Sequence, residues 1–300
     1  MNRLRIQVVF LFVWLAFSAH AQPATHVDVQ AHQGGAGLYP GNSIPAFLHA
    51  VKLGVTTLEL DCVISKDSLV VVSHDPFMRA ATMLTPAGEA IVKEKQEEYA
   101  LFQMPYDSIR RYQLGIKFDP EFPQQQRVKT YKPLLSEVID SVEAYIRQHR
   151  LKPVQYNIEI KSYKPEGLFQ PAIGVFVDLL VNVLKKKKIE KRVLIQSFDV
   201  RPLQYVKQHY PSLPLSYLLS KHTPYTLQQH LDRLGFTPQV LSPEHPLVTP
   251  QLVEAARQLR MAVIPWTVDQ APDQRRLLQL GVDGIITNYP DRLLHLSTEK

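Results

Sequence analysis

Short apolar runs rich in β-branched residues alternate with longer stretches of helical periodicity along most of the chain. Nine segments have the composition of strands, and seven segments between them show the three-to-four-residue spacing of amphipathic helices. The strand-like segments are 27–33, 56–64, 69–73, 156–161, 192–198, 213–219, 239–243, 262–268 and 283–290. The helix-like segments are 42–54, 135–149, 168–187, 200–210, 226–235, 249–260 and 273–281. This alternation predicts parallel strands joined by crossover helices.

The number of strands favours a closed barrel once one of them is assigned to a hairpin. The turn at 65–68 is too short to join parallel neighbours, so the run 69–73 must return antiparallel. Eight strands then remain, spread over roughly the length that such a barrel needs. We therefore predict an α/β fold, a (β/α)₈ TIM barrel with a hairpin after strand 2. A doubly wound open sheet is the alternative, but no GxGxxG phosphate-binding fingerprint accompanies it.

One long segment departs from this rhythm. Residues 76–130 are rich in Pro, Gln and charged residues, with only short periodic pieces. We predict that this segment is a small insertion subdomain rather than part of the repeating scaffold.

The first 21 residues have the pattern of an export signal. A basic start (MNRLR) precedes the apolar run IQVVFLFVWLAFS, and AHA before Gln22 has the form of a cleavage site. The apolar run is shorter than the roughly 20 residues that a membrane span needs. We expect a signal peptide over 1–21, one domain over 22–300, and a periplasmic or secreted protein. An uncleaved N-terminal anchor is the alternative.

The net charge limits the class of partner to expect, and the cysteine content limits how the fold is stabilised. The formal net charge is +6, and removal of Arg3 and Arg5 with the signal would leave +4. This mild excess fits an anionic small molecule or proximity to a membrane surface, and it gives no reason to expect nucleic acid. Cys62 is the single cysteine, so an internal disulfide is excluded and the core alone must hold the fold.

Two carboxylates interrupt the apolar strand 56–64. Glu59 and Asp61 are two residues apart, and side chains two apart in a strand share one face. A two-residue loop at 66–67 would set Glu59 opposite His74 and Asp61 opposite Val72. The two acids and the imidazole would then converge on one spot.

Three more residues lie at the ends of other predicted strands. His32 ends the first strand, and Glu159 and Lys161 share a face of a later one. In a (β/α)₈ barrel, reactive groups cluster at the C-terminal ends of the strands. Buried carboxylates need a cation, and an oxygen-rich cluster without thiols suits Mg²⁺ or Ca²⁺ better than zinc. Salt-bridged or solvent-facing acids are the alternative.

Taken together, the ordered motifs resemble the glycerophosphodiester phosphodiesterases, members of the phosphatidylinositol-phosphodiesterase-like TIM barrel superfamily. The resemblance extends over roughly residues 27–291. The matching stretches are AHQGGAGLYPGNSIPAF, GVTTLELDCVISKDSLVVVSHDP, YNIEIK, QSFD, PWTVD and GVDGIITNYPD.

The resemblance implies a reaction and a set of site residues. It implies hydrolysis of a glycerophosphodiester to glycerol 3-phosphate and an alcohol. One divalent metal, Mg²⁺ or Ca²⁺, would be held by Glu59, Asp61 and Glu159. His32 and His74 would be the general acid–base pair.

The resemblance also implies the substrate contacts. Lys161 would contact the phosphate, while Phe198 and Trp266 would line the glycerol side of the pocket. Aromatic residues at strand ends pack in the core as often, so that alternative stays open for both. The expected partner is the small-molecule substrate, with no obligate protein partner.

Two positions depart from the family pattern. The arginine that follows the first histidine in the family is Gln33 here, and the Glu of its Pro-Glu-Asn is Gly41, with Asn42 kept. Loss of a guanidinium removes a charged bidentate phosphate donor, although Gln33 can still donate one neutral hydrogen bond. The alternatives are therefore a phospholipase C- or D-like enzyme on a related lipid phosphodiester, and a catalytically impaired relative that only binds.

Overall fold

The computed structural model describes residues 27–298, with eleven strands and nine α-helices in that range. The strands are β1 (Asp28–Ala31), β2 (Thr57–Ile64), β3 (Val70–Val72), β4 (Met83–Leu84), β5 (Gln113–Leu114), β6 (Gln155–Ile160), β7 (Val193–Ser197), β8 (Leu215–Leu219), β9 (Val240–Pro243), β10 (Ala262–Val263) and β11 (Gly284–Thr287). The helices are α1 (Ile44–Leu53), α2 (Tyr106–Ile109), α3 (Leu135–His149), α4 (Ile173–Lys187), α5 (Val200–His209), α6 (Leu227–Leu234), α7 (Pro250–Gln258), α8 (Ala271–Leu280) and α9 (Pro290–Thr298). The predicted signal segment lies outside the described residues.

Eight parallel strands form the predicted barrel. Their order in the sheet is β10-β9-β8-β7-β6-β2-β1-β11, with every neighbouring pair parallel. Backbone hydrogen bonds then connect the two ends of this order, from Asp283 N to Val263 O (3.0 Å) and from Ile286 N to Pro265 O (2.9 Å). The (β/α)₈ prediction is confirmed. Within the described residues, no helix is long and apolar enough to cross a bilayer.

Helix boundaries follow local capping chemistry. The Ser43 side chain accepts a hydrogen bond from Ala46 N at the start of α1, and Gly54 ends the helix with a φ of 88°. Thr226 and Gln229 form a reciprocal capping box on α6. These polar caps explain why the sequence pattern located most helices to within a few residues.

Two predicted elements are shorter than expected. The segment 262–268 is a regular strand only over Ala262–Val263, although Ile264 N and Trp266 N still donate to Leu241 O (3.0 Å) and Pro243 O (3.1 Å) of β9. The helix predicted from residue 168 begins at Ile173, because the preceding loop folds on itself. Gln170 accepts a hydrogen bond from Tyr163 N (2.8 Å), and its carbonyl accepts one from Gly167 N.

The predicted hairpin is present, but its register differs by one residue. β3 pairs antiparallel with β2, and Cys62 rather than Asp61 faces Val72. The loop is longer than two residues, because Ser65 bonds to the Leu69 backbone and Asp67 turns away to accept Tyr106 N. The predicted pairing of Glu59 with His74 is therefore wrong.

The hairpin lies between two apolar clusters. Side chains of Cys62, Ile64, Val70 and Val72 belong to the main core between the barrel and its helices. Val63 and Val71 point to the opposite side and pack in a second cluster. The remaining members of that cluster come from residues 78–114 and include Met78, Met83, Leu101 and Ile109. The hairpin thus joins the barrel to the segment 76–130.

This shared packing predicts that the segment and the barrel unfold together. Leu101 is fully buried in the second cluster, so Leu101→Ala should lower the free energy of unfolding by about 2–5 kcal/mol. Leu168, which is 49% exposed, provides the matched control, and Leu168→Ala should change it by less than about 0.5 kcal/mol. Urea titration followed by circular dichroism should show one transition. A separate early transition in Leu101→Ala would contradict the shared core.

Candidate active site

Strand register places three carboxylates of β2 and β6 at the C-terminal edge of the barrel, beyond which β2 continues into the hairpin. In the parallel β2–β6 pair, Asp61 lies beside Glu159. Two residues earlier on each strand, Glu59 lies beside Asn157. One oxygen atom from each of Glu59, Asp61 and Glu159 lies within 4.8 Å of the others, and all three residues are buried. The prediction that Glu59 and Asp61 share a face is confirmed.

Each carboxylate is oriented by a donor from another part of the chain. Glu59 accepts hydrogen bonds from Gln33 N (2.9 Å) and from the side-chain amide of Gln196 (2.9 Å). Asn42 donates to Asp61 Oδ2 (2.7 Å) and accepts from Asp61 N (3.2 Å). These contacts hold the two acids of β2 in place from the β1–α1 connection and from β7.

Lys161 supplies the one cation in direct contact with this cluster among the described residues. Its Nζ lies 3.0 Å from Glu159 Oε1 and 3.5 Å from Asp61 Oδ1. Burial alone would lower the pKa of Lys161, but the two carboxylates raise it above its ordinary value. The cluster therefore combines three acids with one firmly protonated lysine.

Burial and the neighbouring charges shift the pKa values of the three acids in different directions. Burial and the neighbouring Asp61 raise the pKa of Glu59 well above its ordinary value. Burial also raises the pKa of Glu159, to about 7, although Lys161 opposes it. Burial acts in the same direction on Asp61, but Lys161 and the nearby histidines outweigh it and hold the pKa of Asp61 low. One lysine is thus too little positive charge for this site.

The cluster fits a divalent cation. Asp61 Oδ1 is buried and accepts no hydrogen bond from the described residues, with Lys161 Nζ 3.5 Å away. A buried carboxylate oxygen without a donor is costly unless a cation binds it. Three carboxylates without a thiol or imidazole in the set form an oxygen donor set suited to Mg²⁺ or Ca²⁺.

His32 is held in one tautomer by a chain of hydrogen bonds. Asn288 Nδ2 donates to Asp269 Oδ2 (2.8 Å), which fixes the orientation of the amide. Asn288 Oδ1 then lies 2.6 Å from His32 Nδ1 and can only accept, so Nδ1 carries the hydrogen and Nε2 is left for a proton. Burial lowers the pKa of His32, despite the opposing effects of Asp61 and Asn288.

His74 lies beyond the end of the β3 ladder, on a more exposed segment. Its side chain is 50% exposed, and Nδ1 is 3.3 Å from Asp75 Oδ1. Tyr163 donates its hydroxyl to the His74 carbonyl (3.2 Å). Burial opposes protonation of the imidazole, but the hydrogen bond to Asp75 and the charge of Asp61 raise the pKa of His74. The two histidines are therefore shifted in opposite directions.

Two adjoining pockets meet at His74. The larger one, about 1020 Å³, lies between the barrel mouth and the segment 76–130, and both His32 and His74 line it. The smaller one, about 400 Å³, is lined by His74, Glu159, Lys161 and Phe198. A substrate bound across both pockets would therefore pass the two histidines and Glu159.

The two aromatic candidates pack against each other, and of the two only Phe198 lines one of the pockets described above. The rings of Phe198 and Trp266 meet edge to face, with centroids 5.2 Å apart. Trp266 donates its Nε1–H to the Ser242 carbonyl (2.9 Å) and packs on the apolar cluster of Val240, Ile264 and Ile286. Phe198 is 41% exposed and reaches the smaller pocket.

Comparison with known proteins identifies the family. The model of the glycerophosphoryl diester phosphodiesterase family matches residues 32–292. A glycerophosphodiester phosphodiesterase of Caldanaerobacter subterraneus subsp. tengcongensis is 31% identical over 271 residues, which cover 89% of this chain and 96% of that protein. The chain belongs to the glycerophosphoryl diester phosphodiesterase family. It is therefore a member of a family of phosphodiesterases, and its barrel has the fold of that family.

Solved structures agree with this assignment. A protein of Silicibacter pomeroyi named for the same activity superposes with a TM-score of 0.80 at 28% identity, covering 90% of this chain and 92% of its own. A phosphodiesterase of Oleispira antarctica, crystallised with sn-glycerol-3-phosphate, shares the fold at 21% identity, with a TM-score of 0.71. Its match covers 91% of this chain and 97% of that chain.

Several residues around the family site were not expected from the sequence. Gln196 orients Glu59, and Asp269 orients Asn288, which in turn orients His32. Asn42 and Asn288 stand within the matched motifs, which was a signal for them. Gln196 and Asp269 also lie within matched stretches, QSFD and PWTVD, but their bonds to Glu59 and Asn288 join strands distant in the sequence and were not predicted.

The two departures from the family pattern are physically coupled. Gln33 has a φ of 52°, and its side chain turns over Gly41. A Cβ atom at position 41 would lie 2.5 Å from Gln33 Oε1 and 3.1 Å from the Ala36 Cβ. The Gln33 amide thus occupies the space that a side chain at position 41 would need.

This coupling predicts a double-mutant effect. Gly41→Ala should lower the free energy of unfolding by about 1–3 kcal/mol, because the new Cβ displaces the Gln33 side chain. In a Gln33→Ala background the loss should be smaller by at least about 0.5 kcal/mol, which is the coupling expected of side chains in contact. Denaturant titration of the wild type, both single variants and the double variant measures this difference. Additive losses would contradict the contact.

Proposed function

We propose that this protein hydrolyses glycerophosphodiesters to glycerol 3-phosphate and an alcohol, with one bound Mg²⁺ or Ca²⁺. The observation that carries the proposal is the placement of three buried carboxylates between two histidines whose pKa values are shifted in opposite directions. Opposite shifts in two neighbouring titratable groups are typical of an acid and a base working as a pair. The small-molecule substrate is the expected partner.

Glu59, Asp61 and Glu159 would hold the metal, with Asp61 Oδ1 as the oxygen that accepts no hydrogen bond from the described residues. When bound, the metal would act as a Lewis acid on a phosphoryl oxygen and on the glycerol hydroxyl. Lys161 keeps Asp61 and Glu159 in position through its ion pairs, and its place in the smaller pocket supports a contact with the phosphate.

His32 is suited to be the general base. Its lowered pKa leaves the imidazole neutral near pH 7, and the bond from Nδ1 to Asn288 leaves the Nε2 lone pair for a proton. In the first step, Nε2 would take the proton of the glycerol hydroxyl while that oxygen attacks phosphorus.

His74 is suited to be the general acid. Asp75 raises its pKa and so keeps the imidazolium populated, and the ring lies where the two pockets meet. The phosphorus–oxygen bond to the headgroup alcohol would break as His74 gives that oxygen its proton. The product of this step is a cyclic glycerol phosphate.

Water would then open the cyclic phosphate with the roles exchanged. His74, now neutral, would accept a proton from the water, and His32 would return its proton to the glycerol oxygen. Both histidines end in their starting states, and the products are glycerol 3-phosphate and the alcohol. Gln33 would contact the substrate in the larger pocket and Phe198 in the smaller one.

Metal dependence is tested with purified protein and glycerophosphocholine or glycerophosphoethanolamine. Glycerol 3-phosphate should form with Mg²⁺ or Ca²⁺, stop with chelator and resume when metal is restored. Asp61→Asn should lower kcat/KM at least 100-fold, because it removes the charge of this metal ligand. The exposed Asp140 on α3 offers the same substitution as a control, and Asp140→Asn should stay within twofold. Failure to form product from any headgroup under every metal condition would refute the proposal.

The acid–base assignment predicts a bell-shaped dependence of activity on pH, whose alkaline limb should shift when Asp75 is replaced. Activity should rise as His32 loses its proton and fall as His74 loses its own. Since Asp75 raises the pKa of His74, Asp75→Asn should lower that pKa and move the alkaline limb to lower pH. The acidic limb should stay in place and serves as the internal control. An alkaline limb that does not move, or moves to higher pH, would contradict the role of His74.

We also propose that the enzyme acts outside the cytoplasm. The support is the basic and apolar pattern of residues 1–21 with the AHA sequence before Gln22. Substrates released from lipid headgroups at a membrane surface fit such a location.

A further inference from the structure

Lys132 is a buried lysine that the mechanism above does not use. It lies just before α3, where the chain returns from the segment 76–130 to the barrel, and it is 7% exposed. It lines the larger pocket together with His32, His74 and Gln33. Most lysines are exposed unless they are paired, so its position needs a physical reason.

The ammonium group of Lys132 has a single neutral side-chain partner. Its Nζ donates to Ser73 Oγ (2.6 Å), and no carboxylate oxygen of the described part of the chain lies within 4.0 Å of it. An ammonium group has three donors, so this bond leaves capacity for an incoming acceptor. Lys161, in contrast, has two carboxylates in contact.

The two acids near Lys132 already have other partners. Asp75 and Asp61 are the carboxylates that favour the charged form of Lys132, while burial lowers its pKa. Asp75 pairs with His74, and Asp61 is held by Asn42 and Lys161. The positive charge of Lys132 is thus uncompensated by direct contact, in a pocket that is to receive an anion.

The backbone of Lys132 is fixed beside the end of the hairpin. The next carbonyl, Pro133 O, accepts Val72 N (2.8 Å), and Lys132 O accepts the Tyr106 hydroxyl (3.4 Å). The side chain therefore reaches the pocket from a rigid point next to the Ser73–Asp75 turn. A lysine held in this way provides a positioned charge rather than a mobile one.

We propose that Lys132 is a substrate-binding residue that contacts an anionic oxygen of the phosphoryl group. This inference rests on the proposed function for the identity of the ligand. At position 33 this chain has the neutral Gln33, and its amide is turned over Gly41. Lys132 lines the same pocket and supplies the positive charge that position 33 lacks.

A purely structural role gives a different expectation. Lys132 could serve only to hold Ser73, whose hydroxyl also donates to the Asp75 carbonyl (2.6 Å) and so shapes the turn around His74. In that case removal of the Ser73 hydroxyl would have the same effect as removal of the charge. The Ser73→Ala variant separates the two roles.

The test measures binding of glycerol 3-phosphate to the Mg²⁺-loaded protein by titration calorimetry, alongside kcat and KM for glycerophosphoethanolamine. Lys132→Met and Lys132→Gln should each weaken binding and raise KM at least tenfold, with less than threefold change in kcat. The Gln variant keeps a hydrogen bond to Ser73 and guards against misfolding of the Met variant. Ser73→Ala should stay within threefold because the charge remains.

Lys186→Met makes the same charge change on the exposed face of α4, outside the lining of both pockets, and should stay within twofold. Binding by folded Lys132→Met and Lys132→Gln within twofold of wild type would overturn the inference. An equal loss in Ser73→Ala, or no binding of glycerol 3-phosphate by the wild type, would also overturn it. A wild type that binds glycerol 3-phosphate but hydrolyses no glycerophosphodiester would refute the proposed function alone, and the binding comparison would still decide the role of Lys132.

Discussion

The site depends on the burial of three carboxylates next to one lysine. Water solvates such charges far better than a protein interior does, so each of Glu59, Asp61 and Glu159 must be compensated by its surroundings. The structure does this with Lys161 and with oriented donors from Gln33, Asn42 and Gln196. These groups come from three separate parts of the chain, the β1–α1 connection, the end of β6 and β7, so the acids are compensated only when the barrel is assembled. The remaining excess of negative charge is what makes the cluster a site for a cation.

The hairpin of β2 and β3 places the rest of the chemistry around that cluster. One face of the hairpin belongs to the barrel core and the other to the second apolar cluster, so its end is held from both sides. His74 follows that end directly, and Lys132 returns to it after the segment 76–130. An insertion at this point therefore builds one wall of the larger pocket and fixes the segment that carries His74.

The local sequence pattern predicted the strands, the helices and their topology, but it did not predict the hairpin register or most side-chain contacts. The eight parallel strands, the antiparallel β3 and the bounds of α3 follow from periodicity, capping residues and turn length. The hairpin register did not follow, because Ser65 and Asp67 form hydrogen bonds that lengthen the loop. The β2–β3 ladder ends at Cys62, so Glu59 has no partner in the hairpin and is hydrogen-bonded by Gln33 and Gln196 instead. The resemblance to a family located the acids and histidines, but Lys132 lies outside every matched motif.

The sequence by itself determined the barrel and the shared face of Glu59 and Asp61. Both follow from side-chain direction along a strand, which repeats every two residues whatever the surroundings. Only the tertiary structure decided that His32 is held through Asn288 and Asp269, that Gln33 fills the space over Gly41, and that Lys132 reaches the pocket without an acidic partner. These contacts join residues up to 256 positions apart, and they depend on loop conformations that no local pattern encodes.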